Sequence, residues 1–184
     1  MIFAFLGYTA SGKDTIVKRI SKELNIPIVV SHTTRPMRSG ESQDVEYHFV
    51  DNKYFVDNKD KFIEIREYQV YNGDTWYYGF SEEEFRHENA LLIIDPQGLD
   101  ILRDRFGRDV KAFYIDSPEE QLRERLKVRG DNEEEINRRL KDDYHRFHYF
   151  RNNGDYLYIK NDSDLDIAVN KVKRFIEILR SDNK

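Results

Sequence analysis

The sequence predicts an α/β protein: a central, mostly parallel sheet with helices on both faces, interrupted by a small β-rich insertion. Three observations carry that expectation. Short apolar runs alternate with amphipathic stretches at both ends of the chain. The rhythm breaks across residues 31–88, where aromatic, strand-prone pieces crowd together. A glycine-bearing turn at residues 7–13 joins the first apolar run to the first amphipathic one.

Taken in order, IFAFL (2–6) is a strand, and residues 13–24 are a helix with Ile16, Ile20 and Leu24 on one face. IPIVV (26–30) is expected as a second short strand. NALLIID (89–95), VKAFYID (110–116) and DYLYIK (155–160) supply three more. Ser117-Pro118-Glu119-Glu120 has the form of a capping box with proline at the first helical position, so a helix should begin there. Residues 163–166 open another, striped by Leu165, Val169, Val172, Ile176 and Leu179. Inside the insertion, VEYHFV (45–50) and TWYYGF (75–80) are strand-prone. VRGDNEEEINRR (128–139) is charged, lacks an apolar stripe at its start and suits a mobile flap. Residues 1–184 thus form one domain, with a core of 1–30 and 89–184, a lobe over about 31–88 and a lid over about 128–139.

Composition bounds the function. Hydrophobic residues make up 39% and charged ones 35%, and 12 Phe with 12 Tyr provide bulky core material. A net charge of -5 argues against a chain that coats nucleic acid. Without cysteine, neither disulfides nor thiolate zinc sites are possible. The opening MIFAFLG has no basic leader and runs directly into the glycine turn, so it is a buried strand rather than a signal peptide. No window of about 18 apolar residues occurs. No membrane partner and a cytoplasmic location are expected, for a monomer or homodimer.

The turn GYTASGK (7–13) fits G-x-x-x-x-G-K between a strand and a helix, the context this phosphate-binding motif requires. Glycines Gly7 and Gly12 let the backbone curl until the N–H groups of residues such as Ala10 and Ser11 point inward. The helix adds its positive N-terminal end, and Lys13 adds a full charge for the β- and γ-phosphates. A nucleoside triphosphate such as ATP is the expected ligand, on a P-loop NTPase-type three-layer fold. The next position usually offers Mg²⁺ a hydroxyl; here it is Asp14, with Thr15 one place later. Asp14 suits the helix dipole and should meet Mg²⁺ through water at most, leaving Thr15 near the phosphates.

SHTTRPMRSGESQDVEYHFV (31–50) places Arg35 and Arg38 three apart in a turn, a fork for one phosphate. Here the chain resembles the guanylate kinase family of nucleoside monophosphate kinases. That family's acceptor pattern, S-x-T-T-R-x-x-R-x-G-E followed by D-Y-x-F, is matched by Ser31, Thr33, Thr34, Arg35, Arg38, Gly40 and Glu41, then Glu46-Tyr47-His48-Phe49. KFIEI (61–65), YYG (77–79), LLIIDPQG (91–98), LRERLKVRG (122–130), EEINRRL (134–140) and DYLYIKND (155–162) extend the similarity along most of the chain.

The resemblance implies an ATP- and Mg²⁺-dependent kinase that converts GMP or dGMP to the diphosphate, with an NMP-binding lobe and a helical lid. It implies that Arg35, Arg38, Tyr47 and Tyr78 hold the acceptor phosphate, and that Ser31 and Glu64 meet the guanine edge. It puts Asp95 near the metal, through water, Arg129 and Arg139 over the transferring phosphoryl group, and Asn161 near the adenine. Glutamate suits guanine because it accepts from both N1–H and N2–H₂, and Glu67 is a rival for that task. Four departures stand out: Phe80 where Ser or Thr usually follows Y-Y-G, Ile93 in place of an aspartate, a longer stretch between Glu64 and Tyr78, and a lid about one residue short. Together they bear on the base more than on phosphoryl transfer, and Phe80 and Ile93 leave open another nucleoside monophosphate. Guanylate kinase-like domains also serve as non-catalytic interaction modules, whose phosphate loop is typically degraded; here its glycines and Lys13 are intact. The aromatic set Tyr68, Tyr71, Trp76, Tyr77 and Tyr78 lacks a basic stripe and suits a lobe core and nucleotide pocket. His145 and His148 have no evident third metal ligand.

Overall fold

A computed structural model describes residues 1–38, 40–69 and 73–181. Tyr71 lies outside them. In chain order the elements are β1 (Ile2–Leu6), α1 (Lys13–Leu24), β2 (His32–Thr33), β3 (His48–Phe49), α2 (Asn52–Asp57), β4 (Phe62–Gln69), β5 (Thr75–Ser81), β6 (Ala90–Ile93), α3 (Pro96–Phe106), β7 (Val110–Asp116), α4 (Glu119–Val128), α5 (Glu133–Asn153), β8 (Leu157–Lys160) and α6 (Leu165–Ser181). They divide into two compact units, Met1–Ile28 with Leu91–Lys184, and Val29–Ala90.

The first unit is built on a parallel sheet in the order β6-β1-β7-β8. β1 and β7 run in register from Ile2 opposite Val110 to Leu6 opposite Tyr114. Such central strands are buried on both faces, which explains their unbroken apolar sequences. Alternation sorts the side chains. Phe3, Phe5, Phe113 and Ile115 pack with Ile16, Val17 and Ile20 of α1 and with Ala168, Val169, Val172 and Ile176 of α6. Tyr114 turns the other way, toward Phe147 and Phe150 of α5. Each large side chain so buried contributes about 1.5–3 kcal/mol before entropy is subtracted.

The second unit holds a sheet in the order β3-β2-β5-β4. β4 and β5 pair antiparallel, from Gln69 opposite Thr75 back to Glu64 opposite Phe80. α2 covers one face through Phe55, whose ring lies 4.8 Å from Phe62 and 5.9 Å from Tyr77. Gly79 is required there, because a Cβ would sit 2.7 Å from Glu64 O and 2.8 Å from Phe62.

The structure corrects three sequence expectations. Residues 26–30 form no strand: only Ile28 makes a bridge, to Leu91. Pro27 has no N–H to give a ladder, though its carbonyl accepts from Leu91. Residues 45–50 yield only the two-residue β3, because the chain around Asp44, at φ 64, is folded into turns. Ser117 is not a capping residue. Pro118 occupies the cap position, and the Ser117 hydroxyl lies 3.2 Å from Ser11 O and 2.7 Å from Asn161 O. Toward the end of 128–139, Ile136 is fully buried with Leu122, Leu126, Leu140 and Ala10. No helix among the described residues is long and apolar enough to cross a membrane.

Candidate functional site

The phosphate loop lies in the first unit, between β1 and α1. Its shape depends on backbone that only glycine adopts easily. Gly7 has φ 150, and a Cβ there would lie 2.3 Å from Ile115 O. Gly12, at φ 90, is the N-cap of α1 and makes no side-chain cap, so the first turn's N–H groups stay directed at the loop. The Lys13 ammonium donates to Tyr8 O at 3.2 Å, and Asp14 and Thr15 are exposed on the first turn. Buried Asn161, just beyond β8, donates from Nδ2 to Ser11 O at 2.8 Å and braces the loop from behind.

The arginines assigned to the lid lie in the same unit. Arg129 is exposed at the C-cap of α4. Arg139 on α5 donates to Glu135 at 2.8 Å and approaches Asp131 at 3.7 Å. Hydrogen bonding from Arg138, with the charges of Arg139 and Arg138, holds the Glu135 carboxyl below its ordinary range against the effect of burial. Asp95 caps α3 by accepting from Gly98 N–H at 2.9 Å.

In the second unit, Thr33, Arg35, Tyr47, Glu64 and Tyr78 converge around the sheet. Arg35 is buried, and its Nη2 lies 2.8 and 3.0 Å from the two Glu41 oxygens. Its guanidinium also stacks 5.2 Å from the Tyr47 ring centroid, and Tyr47 lies 5.8 Å from Tyr78. Burial pushes the Glu41 carboxyl up, but hydrogen bonds from Arg35 and the Arg38 N–H, with both charges, outweigh it and hold the group low. Arg38 is exposed, while its backbone N–H donates to Glu41 at 2.8 Å. Ser31 is half-buried, and its carbonyl accepts from His48 N–H.

Strand alternation separates the two candidate glutamates. Glu64, Arg66 and Tyr68 share a face with their cross-strand partners Phe80, Tyr78 and Trp76, whereas exposed Glu67 pairs with Tyr77 on the opposite face. Arg66 Nε stands 2.7 Å from Glu64 Oε2, and both Glu64 oxygens are shielded from solvent. Phe80, 1% exposed, packs against Phe85.

The chain matches the guanylate kinase family over residues 3–179. The chain belongs to the guanylate kinase family. It is 33% identical over 186 residues to the guanylate kinase of Caldanaerobacter subterraneus, covering 96% of this chain and 86% of that one. It is 31% identical to the enzyme of Fusobacterium nucleatum, covering 96% and 95%. Among solved structures, the guanylate kinase of Anaplasma phagocytophilum superposes with a TM-score of 0.71 at 26% identity, covering 99% of this chain and 85% of that one. The chain is therefore an enzyme of the nucleoside monophosphate kinase class.

Two residues of this guanylate kinase family member were missed by sequence reasoning. Asp143 on α5 accepts from the Thr9 N–H, inside the phosphate loop, at 2.6 Å. Burial raises its carboxyl above the ordinary value, against the Thr9 hydrogen bond and the charges of Lys13 and Arg146. Arg125 on α4 donates to Ala10 O at 3.0 Å, to Ser117 Oγ at 3.2 Å and to Gln121 at 3.0 Å. The available signal was spacing: Asp143 lies one helical turn beyond Arg139, and Arg125 lies one turn before Arg129.

Proposed function

We propose that the chain phosphorylates GMP or dGMP with ATP as donor. The observation that carries this is the loop in which Gly12, left-handed, delivers Lys13 into the first turn of α1. Family membership supplies the reaction class, and the buried carboxylate of Glu64 supports a guanine acceptor. The acceptor phosphate is the nucleophile and is anionic at neutral pH, so no strong base is needed. What transfer needs is alignment of two anions and compensation of their charge. Lys13 and the N-terminus of α1 hold the donor's phosphates, with Arg129 and Arg139 as further cations. Arg35, Arg38, Tyr47 and Tyr78 hold the acceptor phosphate, and residues 128–139 act as lid to exclude water.

Among the described residues no group of three or more His, Cys, Asp or Glu could hold a metal alone. That suits Mg²⁺, which typically keeps several waters and uses one or two carboxylates with substrate phosphates. Asp14, Thr15 and Asp95 offer the hard oxygen donors it prefers. When bound, Mg²⁺ neutralises phosphate charge.

The test is a panel of nucleoside monophosphates with ATP and Mg²⁺, scored by diphosphate formation. GMP or dGMP should be turned over, and Lys13→Ala should nearly abolish transfer without altering the thermal melt. No turnover of any acceptor by the wild type would sink the reading in favour of a non-catalytic module. A second reading, a different acceptor base, is favoured by Phe80 and by Ile93, which packs partly buried against the core.

A further inference from the structure

We propose that Arg66 sets the acceptor-base preference by occupying Glu64 from within the lobe. This rests on the nucleoside monophosphate reading above. On β4, Glu64 and Arg66 are two residues apart and on one face, and the ion pair between them measures 2.7 Å. The Glu64 side chain is 0% exposed and that of Arg66 10%. The guanidinium also donates from Nη1 toward the Tyr68 hydroxyl at 3.4 Å.

The chemistry follows from donor shape. A guanidinium presents a planar row of N–H groups, as the N1–H and N2–H₂ edge of guanine does, and a carboxylate accepts either. Guanine and Arg66 are therefore rivals for Glu64. The larger consequence concerns the wrong bases. A buried carboxylate rejects a base without donors because it would be left unpaired. Arg66 lessens that penalty, since its charge stands 2.7 Å from Glu64 Oε2 whichever base is present. Phe80, opposite Glu64 in the ladder, adds no polar group that could restore discrimination. The result is a shallow preference for guanine.

The experiment measures dissociation constants of GMP and AMP by calorimetry for the full chain, for Arg66→Ala and for Arg66→Gln. Binding is read directly, so the result does not depend on turnover, which tests the kinase reading separately. In both variants the GMP-over-AMP ratio should rise by about tenfold or more, the equivalent of one charge-assisted hydrogen bond. Glu64→Gln should barely change the ratio in the wild type and should cancel the gain in the Arg66→Gln background. If Arg66 instead orients Glu64 for the base, both Arg66 variants lower the ratio, and the proposal fails. An unchanged ratio overturns it equally. Should Arg66→Ala fail to fold, Arg66→Gln, closer in volume, carries the test.

Discussion

The Asp143 carboxylate accepts a 2.6 Å hydrogen bond from the Thr9 N–H, although 134 residues separate the two in sequence. One donor of the phosphate loop is thereby matched to an anion that belongs to the protein itself, on the same helix as Arg139. Asp143→Asn keeps an acceptor oxygen and removes the charge. It should tighten ATP binding by about three- to tenfold in calorimetry, with little change in the melt. Asp143→Ala orphans the N–H as well and should lose about 1–2 kcal/mol of stability. Weaker ATP binding by the asparagine variant would show that the charge serves the loop rather than opposes the ligand.

A Cβ at position 12 would lie 2.4 Å from Asn161 Nδ2, on backbone at φ 90. Gly12→Ala should therefore cost about 2 kcal/mol or more, seen as a lower urea midpoint. Asn161→Ala in the same chain should recover part of that loss. The two substitutions are expected to be less than additive.

Arg125 ties α4 to the loop through Ala10 O and to Ser117 Oγ. Arg125→Ala should weaken ATP binding by about tenfold while leaving acceptor binding unchanged. Arg125→Lys should recover only part of it, because one ammonium cannot reproduce the fork that also reaches Gln121.

His32 is buried against Tyr54, Phe62 and His48, and its pKa falls from 6.5 to about 4. Burial is the main cause, then the charge of His48, only partly offset by Asp44. The unfolded chain consequently takes up this proton first as pH falls. Stability should decline between about pH 6.5 and 4, by about 3 kcal/mol from this group. His32→Asn should flatten that part of the pH profile in denaturant titrations, whatever it does to absolute stability.

How much the sequence disclosed depended on the range of the interactions involved. β1, α1 and β7 fall on the residues expected from periodicity, because burial on both faces and a glycine turn are local signals. Ser117 misled because its neighbours spell a cap, while its hydroxyl is engaged by carbonyls that folding brings from Ser11 and Asn161. Ile136 sits in a charged run, and its partners Ala10 and Leu122 are remote or on another helix, so its burial has no local signal. Glu64 and Glu67 were equivalent as letters, and strand parity alone put them on opposite faces. Asp143 and Arg125 left only their helical spacing to Arg139 and Arg129 as a trace, because the loop groups they bond, Thr9 N–H and Ala10 O, are remote in sequence.

Asn161 also bears on the order in which the protein is assembled. It is the residue whose amide fixes Ser11 O, and its own N–H is held by Asp116 O at the end of β7. Synthesis delivers the glycine loop 150 residues before its brace, which appears only after β8 has emerged. A nascent chain complete through α5 therefore carries the whole loop sequence without the support that shapes it. The loop is translated well before it can mature.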